Sequence, residues 1–181
     1  VDISNKTKTT KGIDIVMAMD VSGSMLAKDL KPNRMEALKK VAQNFVYDRP
    51  NDRIGLVVYA SEAYTKTPVT SDKAIILDAI KGVNYDRILQ DGTGIGMGLT
   101  TAVNRLKDSK AKSRIIILLT DGVNNNGFID PDMAAEIAQK FKIKVYTIGI
   151  GTNGMAEFPY AIAPNGQFLF RMMQVEIDEQ L

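Results

Sequence analysis

Short apolar runs rich in β-branched residues recur along the chain and predict buried strands. Three of them lie at 13–19, 53–60 and 114–120, and a further run at 144–150 predicts the next strand. Asp14 is the polar exception in the first run and is interpreted as the exposed start of that strand. The segment 64–68 follows the second run through a tight connection, which indicates a short neighbouring strand of antiparallel direction.

Between these runs, apolar residues recur at the spacing of an amphipathic helix. A first helix can begin after Pro32, a second is capped by Ser71 or Asp72, a third covers 94–107 and a fourth opens at 130–131. The expected inner faces are Met35, Leu38, Val41, Ala42, Phe45 and Val46 in the first helix, and Ala134, Ile137, Ala138 and Phe141 in the fourth. This alternation predicts a doubly wound α/β domain, whose mainly parallel sheet has helices on both faces and one antiparallel edge strand.

The length of 181 residues suits a single domain. Residues 1–11 form a polar leader rich in threonine and lysine, and residues 12–154 are expected to form the core. Residues 155–181 contain two prolines and are expected to be an irregular C-terminal segment. Within it, the Asn-Gly pair at 165–166 is a turn signal that could join two short strands.

Composition limits the chemistry that the chain can perform. It is 45% hydrophobic, its formal net charge is +2, and it contains neither cysteine nor histidine. The small net charge gives no reason to expect binding to nucleic acid or anionic lipid. Without thiolate or imidazole, a metal ion would have to be held by oxygen, which favours Mg²⁺, Mn²⁺ or Ca²⁺. No apolar run approaches the ~18 residues that a membrane span requires.

Oxygen-bearing side chains follow two of the predicted strands and precede one predicted helix. Asp20, Ser22 and Ser24 come after the first strand, Asp121 comes after a later strand, and Thr93 lies just before the third helix. Ligands of open α/β sheets bind beyond the carboxyl ends of the strands, so these side chains are expected to meet at one edge. The glycine between the two serines permits a tight turn that could bring both hydroxyls to one point. The sequence therefore predicts a divalent-metal site there.

Three motifs carry a family resemblance. They are Asp-Val-Ser-Gly-Ser starting at Asp20, Asp-Gly-Thr ending at Thr93, and Leu-Thr-Asp-Gly around Asp121. In this order, over nearly the whole chain, they resemble the von Willebrand factor A domain, in which such residues form the metal-ion-dependent adhesion site. The resemblance implies hydroxyl ligands from Ser22, Ser24 and Thr93, and direct or water-mediated binding by Asp20 and Asp121. It also implies that a Glu or Asp of a partner protein completes the metal shell.

The residues around the first motif narrow this resemblance. Segments 12–27 and 33–35 are similar to the BatA group of bacterial aerotolerance-related proteins. Members of that group are membrane-anchored with the A domain facing the periplasm, which implies the same inner-membrane location here. The final helix and last strand that close the family's fold are expected to be missing after residue 181. The expected rim around the metal, where a partner would bind, is Met25, Gly92, Asn124 and Asn125, although a solvated loop is the better explanation for the asparagines.

Two other functions stay open at the level of sequence. A Mg²⁺-dependent phosphotransferase or phosphatase also places an aspartate at a strand end. Here, however, Ser22 stands where such an enzyme would have a second aspartate, and no catalytic lysine is evident. The other alternative is a scaffold whose metal site is vestigial. The oxygen-only cluster, with no candidate base or nucleophile, favours a metal-dependent binding module that is not an enzyme.

Overall fold

The computed structural model describes residues 12–85, 94–121, 131–150, 154–162, 164 and 168–175. Within this part of the chain, a short 3₁₀ helix (Gly23–Leu26) follows the first strand. The strands are β1 (Ile13–Asp20), β2 (Arg53–Tyr59), β3 (Ala63–Thr70), β4 (Ser113–Thr120), β5 (Lys144–Gly149), β6 (Gly154–Ile162) and β7 (Phe168–Val175). The α-helices are α1 (Arg34–Tyr47), α2 (Lys73–Lys81), α3 (Ile95–Leu106) and α4 (Pro131–Lys140).

Five strands form one sheet in the order β3-β2-β1-β4-β5. All neighbours are parallel except β3, which pairs antiparallel with β2 at one edge. The predicted doubly wound, mainly parallel sheet with one antiparallel edge strand is confirmed. Asp20 is in register with Tyr59 of β2, and Met19 with Leu119 of β4. The carboxyl ends of the three central strands therefore lie side by side.

Alternate residues of β1 build two separate cores. Ile15, Met17 and Met19 pack with buried residues of α1 and α2 on one face of the sheet. Val16 and Ala18 pack with α3 and α4 on the other. Because successive side chains of a strand point to opposite faces, this division follows directly from the apolar run. Among the described residues, no helix is both long enough and apolar enough to cross a membrane.

Helix α4 departs from the expected inner face. Ala134 and Ala138 are buried, but Ile137 is 36% and Phe141 is 40% exposed. The prediction was therefore wrong for the two large residues, and in α1 it was wrong for Val41, which is 37% exposed. In α4, the small residues make the close approach to the sheet, and the stripe of large residues beside them is turned away from it.

Asp14 was interpreted as exposed, and that interpretation was wrong. The side chain is buried, and its carboxylate accepts bonds from Arg53 Nε and Nη2 at 2.9 and 3.0 Å. Ser109 Oγ donates to the same carboxylate at 2.6 Å. This ion pair lies at the amino ends of β1 and β2, the opposite edge from Asp20. A buried carboxylate is tolerated there because charged and neutral donors satisfy it.

The segment from residue 155 was expected to be irregular, and that expectation was wrong. Strands β6 and β7 pair antiparallel as a separate two-stranded sheet. Proline was interpreted as a sign of irregular structure, but Pro159 lies beside a register shift in β6. Proline is tolerated at bulges and in strands that have a free edge. The Asn-Gly turn signal at 165–166 lies outside the described residues.

Candidate metal centre

The loop after β1 folds tightly around its own first residue. Asp20 ends β1, and its Oδ1 accepts a bond from the backbone N–H of Ser22 at 2.8 Å. Such an aspartate turn is a local reason for this residue type at a strand end. The 3₁₀ helix follows, with the Met25 N–H donating to the Ser22 carbonyl at 3.0 Å. Both serine hydroxyls are thereby directed back toward the end of the strand.

The carboxylate of Asp20 is fully buried and accepts hydroxyl protons on both oxygens. Ser22 Oγ donates to Oδ1 at 2.5 Å, and Thr120 Oγ1 donates to Oδ2 at 2.8 Å. Burial, and then the negative charge of Asp121, raise the pKa of Asp20 from 3.8 to about 7. The bonds from Ser22 and Thr120 act in the opposite direction but are the smaller effect. The metal-free site therefore holds a negative charge at high cost.

The hydroxyl of Ser24 is hydrogen-bonded to the carboxylate of Asp121. Ser24 Oγ donates to Asp121 Oδ2 at 2.5 Å, across 97 positions of sequence. Ser22 Oγ and Ser24 Oγ lie 3.0 Å apart. Each hydroxyl is bonded to a carboxylate, and the two oxygens are also within hydrogen-bond distance of each other, where either can act as the donor. A hydroxyl has two lone pairs, so each oxygen can also bind a cation.

This spacing fits a hard divalent ion. Two neighbouring ligands about 2.1 Å from an octahedral Mg²⁺ lie about 3.0 Å apart. In the described part of the chain, no group of three or more acidic residues could hold a metal. The candidate metal ligands are therefore two serine hydroxyls together with the carboxylates of Asp20 and Asp121. Such a set suits an oxygen-seeking cation.

A buried arginine joins the same cluster. The guanidinium of Arg34, the first residue of α1, donates from Nε and Nη2 to Asp29 at 2.8 and 2.9 Å. Its Nη1 donates to Asp121 Oδ2 at 3.0 Å. Arg34 is only 1% exposed. A cation therefore balances part of the negative charge around Asp121.

The structure brings together four of the five predicted metal ligands, namely Asp20, Ser22, Ser24 and Asp121. Thr93 lies outside the described residues, as do Gly92, Asn124 and Asn125 of the expected rim. Gly94, which follows Thr93 in the chain, donates its N–H to the carbonyl of Ala60 at 2.6 Å. Residue 94 is therefore anchored just beyond the carboxyl end of β2, next to β1.

Met25 was expected to contact a partner at the rim, and the structure contradicts this. Its side chain is 0% exposed and belongs to the core on the α1 side of the sheet. The short 3₁₀ helix turns Met25 inward while Ser24 stays at the site. Strand β6 runs close to this 3₁₀ helix. The sequence indicated that two short strands could form in this segment, but not that they lie beside the metal loop.

Sequence reasoning also missed Thr120, Asp29 and Arg34. Thr120 precedes Asp121 and was read only as the end of a strand. Arg34 had a usable signal, because it lies four positions before Leu38 and so falls on the buried stripe of α1. A charged residue at such a position needs a buried partner. Asp29 was not identifiable, since its pairing depends on how the loop between residues 27 and 33 folds.

An open α/β sheet with a carboxylate and hydroxyl cluster at its carboxyl edge defines a class of ligand-binding domain. The model of the von Willebrand factor type A domain matches residues 14–180. The chain therefore belongs to the von Willebrand factor type A domain family.

Relatives and solved structures agree with this assignment. An uncharacterized protein of Borreliella burgdorferi is 38% identical over 143 residues, which cover 78% of this chain and 42% of that protein. The chain thus spans less than half the length of this curated relative. An aerotolerance-related membrane protein from Bacteroides fragilis superposes with a TM-score of 0.79 at 27% identity, covering 93% of this chain and 84% of that one. The resemblance to the aerotolerance-related group is confirmed, while the narrower BatA assignment stays a prediction.

A more distant structure carries an occupied metal site. Proximal thread matrix protein 1 from the mussel byssus, solved with zinc in its MIDAS motif, superposes with a TM-score of 0.67 at 28% identity. The match covers 80% of this chain and 37% of that one. The two chains therefore share the fold.

Proposed function

We propose that this domain binds a divalent cation and presents it to an acidic residue of a partner protein. Asp20, Ser22, Ser24 and Asp121 would hold the ion, and Thr93 would supply a further hydroxyl. One coordination position would stay open to a carboxylate from outside. The family to which the chain belongs supports a role in protein–protein interaction rather than catalysis.

The observation that carries the proposal is the pair of serine hydroxyls. Their oxygens are 3.0 Å apart, and both are bonded to buried carboxylates. Two of the four ligands are neutral hydroxyls, and Arg34 offsets part of the charge of Asp121, so the bound metal would retain affinity for a further anion. A partner carboxylate supplies that charge and a defined direction of approach.

The contribution of Thr93 is part of the proposal. Gly94 is anchored at Ala60, and Ala60 directly follows Tyr59, the register partner of Asp20. A residue adjacent to Gly94 is within reach of the site. We infer Mg²⁺ as the resident ion, with Mn²⁺ and Ca²⁺ as alternatives, because all ligands are oxygen. The zinc in the mussel MIDAS motif makes Zn²⁺ a fourth ion to test.

The cellular location of this domain is proposed from the description of a similar protein. The Bacteroides fragilis protein is described as an aerotolerance-related membrane protein. We infer that this domain belongs to a bacterial membrane-associated protein, faces the periplasm, and acts in a complex linked to aerotolerance or stress. The rim would include Gly92, Asn124 and Asn125, and the β6–β7 hairpin is a candidate neighbour in place of Met25.

Removing one hydroxyl should separate metal binding from general stability. Ser24→Ala is expected to weaken Mn²⁺ binding by at least about 100-fold, because ligand loss exceeds the 10–100-fold typical of supporting residues. Titration calorimetry with the purified domain measures this. The matched control is Ser109→Ala, which removes a serine hydroxyl bonded to Asp14 at the opposite edge of the sheet. Unchanged Mn²⁺ affinity in Ser24→Ala, or an equal loss in both variants, would contradict the proposal.

The open coordination position has its own test. With the domain in excess over Mn²⁺, acetate should reach the bound ion, and its methyl proton resonance should broaden. The Ser24→Ala domain provides the baseline for Mn²⁺ held elsewhere. If the wild-type domain binds Mn²⁺ tightly but leaves acetate no broader than the same solution without metal, the ion is fully enclosed. The proposed contact with a partner carboxylate would then be wrong.

The alternatives of a phosphotransferase or phosphatase and of a vestigial scaffold site stay predictions. No arrangement among the described residues favours the enzyme alternative. The scaffold alternative predicts that the domain does not bind divalent metal, so the Mn²⁺ titration of the wild-type domain distinguishes it from our proposal.

A further inference from the structure

The three motifs that predict the metal site do not include Arg34, the buried arginine that contacts it. Arg34 holds Asp29 with two parallel bonds and donates a third to Asp121 Oδ2. The same oxygen of Asp121 accepts the hydroxyl proton of Ser24. Arg34 and the side chain of Asp29 are 1% and 4% exposed, so water screens their charges little. The positively charged side chain of Arg34 is thus in direct contact with Asp121, one of the expected metal ligands.

We propose that Arg34 and Asp29 form an internal counter-ion that sets how tightly the site holds a divalent cation. Arg34 opposes the entering ion by its charge, and Asp29 reduces that opposition. This inference rests on the proposed metal-binding function and deepens it. The pair is a regulator of affinity located behind the ligands, not an additional ligand.

The physical reason is the sign of each charge. Without metal, Arg34 compensates Asp121 and, through it, part of the charge of the carboxylate pair. With a divalent ion bound, Arg34 is a like charge at short range in a buried setting, where such interactions are strong. Asp29 carries the opposite charge and lies on the far side of the guanidinium. Removing Arg34 should therefore favour the ion, whereas neutralising Asp29 should disfavour it.

A purely structural role predicts a different pattern. Breaking a buried ion pair from either side leaves one charge unpaired, so both substitutions should lower stability. If the pair only held Asp121 and the loop in place, both substitutions would also weaken metal binding. Opposite shifts in metal affinity, with stability lost in both variants, are specific to the charge mechanism.

The experiment measures the Mn²⁺ affinity and the metal-free melting temperature of each purified domain. Arg34→Met is expected to bind Mn²⁺ at least about tenfold more tightly, and Asp29→Asn about tenfold more weakly. Arg53→Met and Asp14→Asn are the matched controls, because they break a two-bond arginine–aspartate pair at the opposite edge of the sheet. They should lower the melting temperature without changing the Mn²⁺ affinity.

The possible outcomes distinguish a failure of the counter-ion mechanism from a failure of the proposed metal-binding function. If the wild-type domain binds no divalent ion, the proposed function fails and the inference fails with it. If the wild-type domain binds but both variants lose affinity, or neither changes, metal binding stands and the counter-ion mechanism is wrong. Should Arg34→Met not fold, Arg34→Lys retains the cation without the two-bond geometry. It should then keep wild-type Mn²⁺ affinity to within about threefold, and a loss of more than about tenfold would overturn the mechanism.

Discussion

Asp20→Asn is expected to abolish divalent-metal binding and, at the same time, to stabilise the metal-free domain above pH 7. Asp20 is buried beside Asp121, and its pKa in the folded domain is raised from 3.8 to about 7. Above that pH the folded domain must hold two neighbouring buried carboxylates in their charged forms. Asparagine keeps the shape and the acceptor for Ser22 but removes one of the two charges.

The pH dependence has a definite sign. Because the folded-state pKa is raised, the stabilising contribution of Asp20 is fully present below about pH 4, the pKa in the unfolded chain. It is lost as the pH rises through about 7. The metal-free wild-type domain should therefore lose up to about 4 kcal/mol of unfolding free energy from this group, and Asp20→Asn should not.

Denaturant unfolding in EDTA at pH 5 and pH 8 tests this directly. The stability of Asp20→Asn relative to wild type should increase between the two pH values. Asp78→Asn, at an exposed position of α2, is the control and should show no such change. A variant that is less stable than wild type by the same amount at both pH values would show that the Asp20 charge does not strain the metal-free site.

Gly98→Val is expected to destabilise the domain by about 3 kcal/mol, the upper part of the range for overpacked cores. Gly98 lies in α3, and a Cβ built there would be 2.6 Å from Tyr59 Cδ1 and 2.8 Å from Cγ. Tyr59 is fully buried and is in register with Asp20, so the ring cannot move without disturbing the site. Helix propensity alone would favour the valine over glycine, so a loss of stability must come from packing.

Thermal unfolding measures this effect, and for a domain of this size the midpoint should fall by about 10 °C. Gly149→Val in β5 is the matched control, because no atom of the residues that the structure describes lies within 4 Å of a Cβ built at that position. Tyr59→Leu in the Gly98→Val background should recover part of the loss by removing the ring. If Gly98→Val and Gly149→Val have the same melting temperature, the close contact between α3 and Tyr59 does not constrain the fold.

The sequence predicted the sheet well because its three central strands, β1, β2 and β4, are buried on both faces. Uninterrupted apolar runs such as 114–120 admit few other interpretations, and β4 begins and ends within a residue of that run. The Asn-Gly signal indicated two short strands near residue 165, but the extent of the hairpin from Gly154 was missed because the prolines were interpreted as a sign of irregular structure. The exposed Ile137 and Phe141 were assigned to the core because periodicity identifies a helical face but not its full orientation against the sheet.

The metal site was predictable as far as its motif residues extend. Asp20, Ser22, Ser24 and Asp121 converge because the parallel strands predicted from the alternation of strands and helices all end at one edge of the sheet. The cluster around Arg34 was not predictable in the same way. Its geometry depends on a loop, and a loop conformation is set by many weak local contacts rather than by a periodic pattern.

Diffraction from crystals grown with Mn²⁺, using its anomalous signal, tests the central claim most directly. The account predicts one strong peak at the carboxyl edge of the sheet, about 2.2 Å from both Ser22 Oγ and Ser24 Oγ. One ligand position of that ion should be filled by water or by a carboxylate from a neighbouring molecule. Crystals that contain Mn²⁺ elsewhere, or not at all, while the two hydroxyls keep their hydrogen bonds to Asp20, Asp121 and each other, would contradict it.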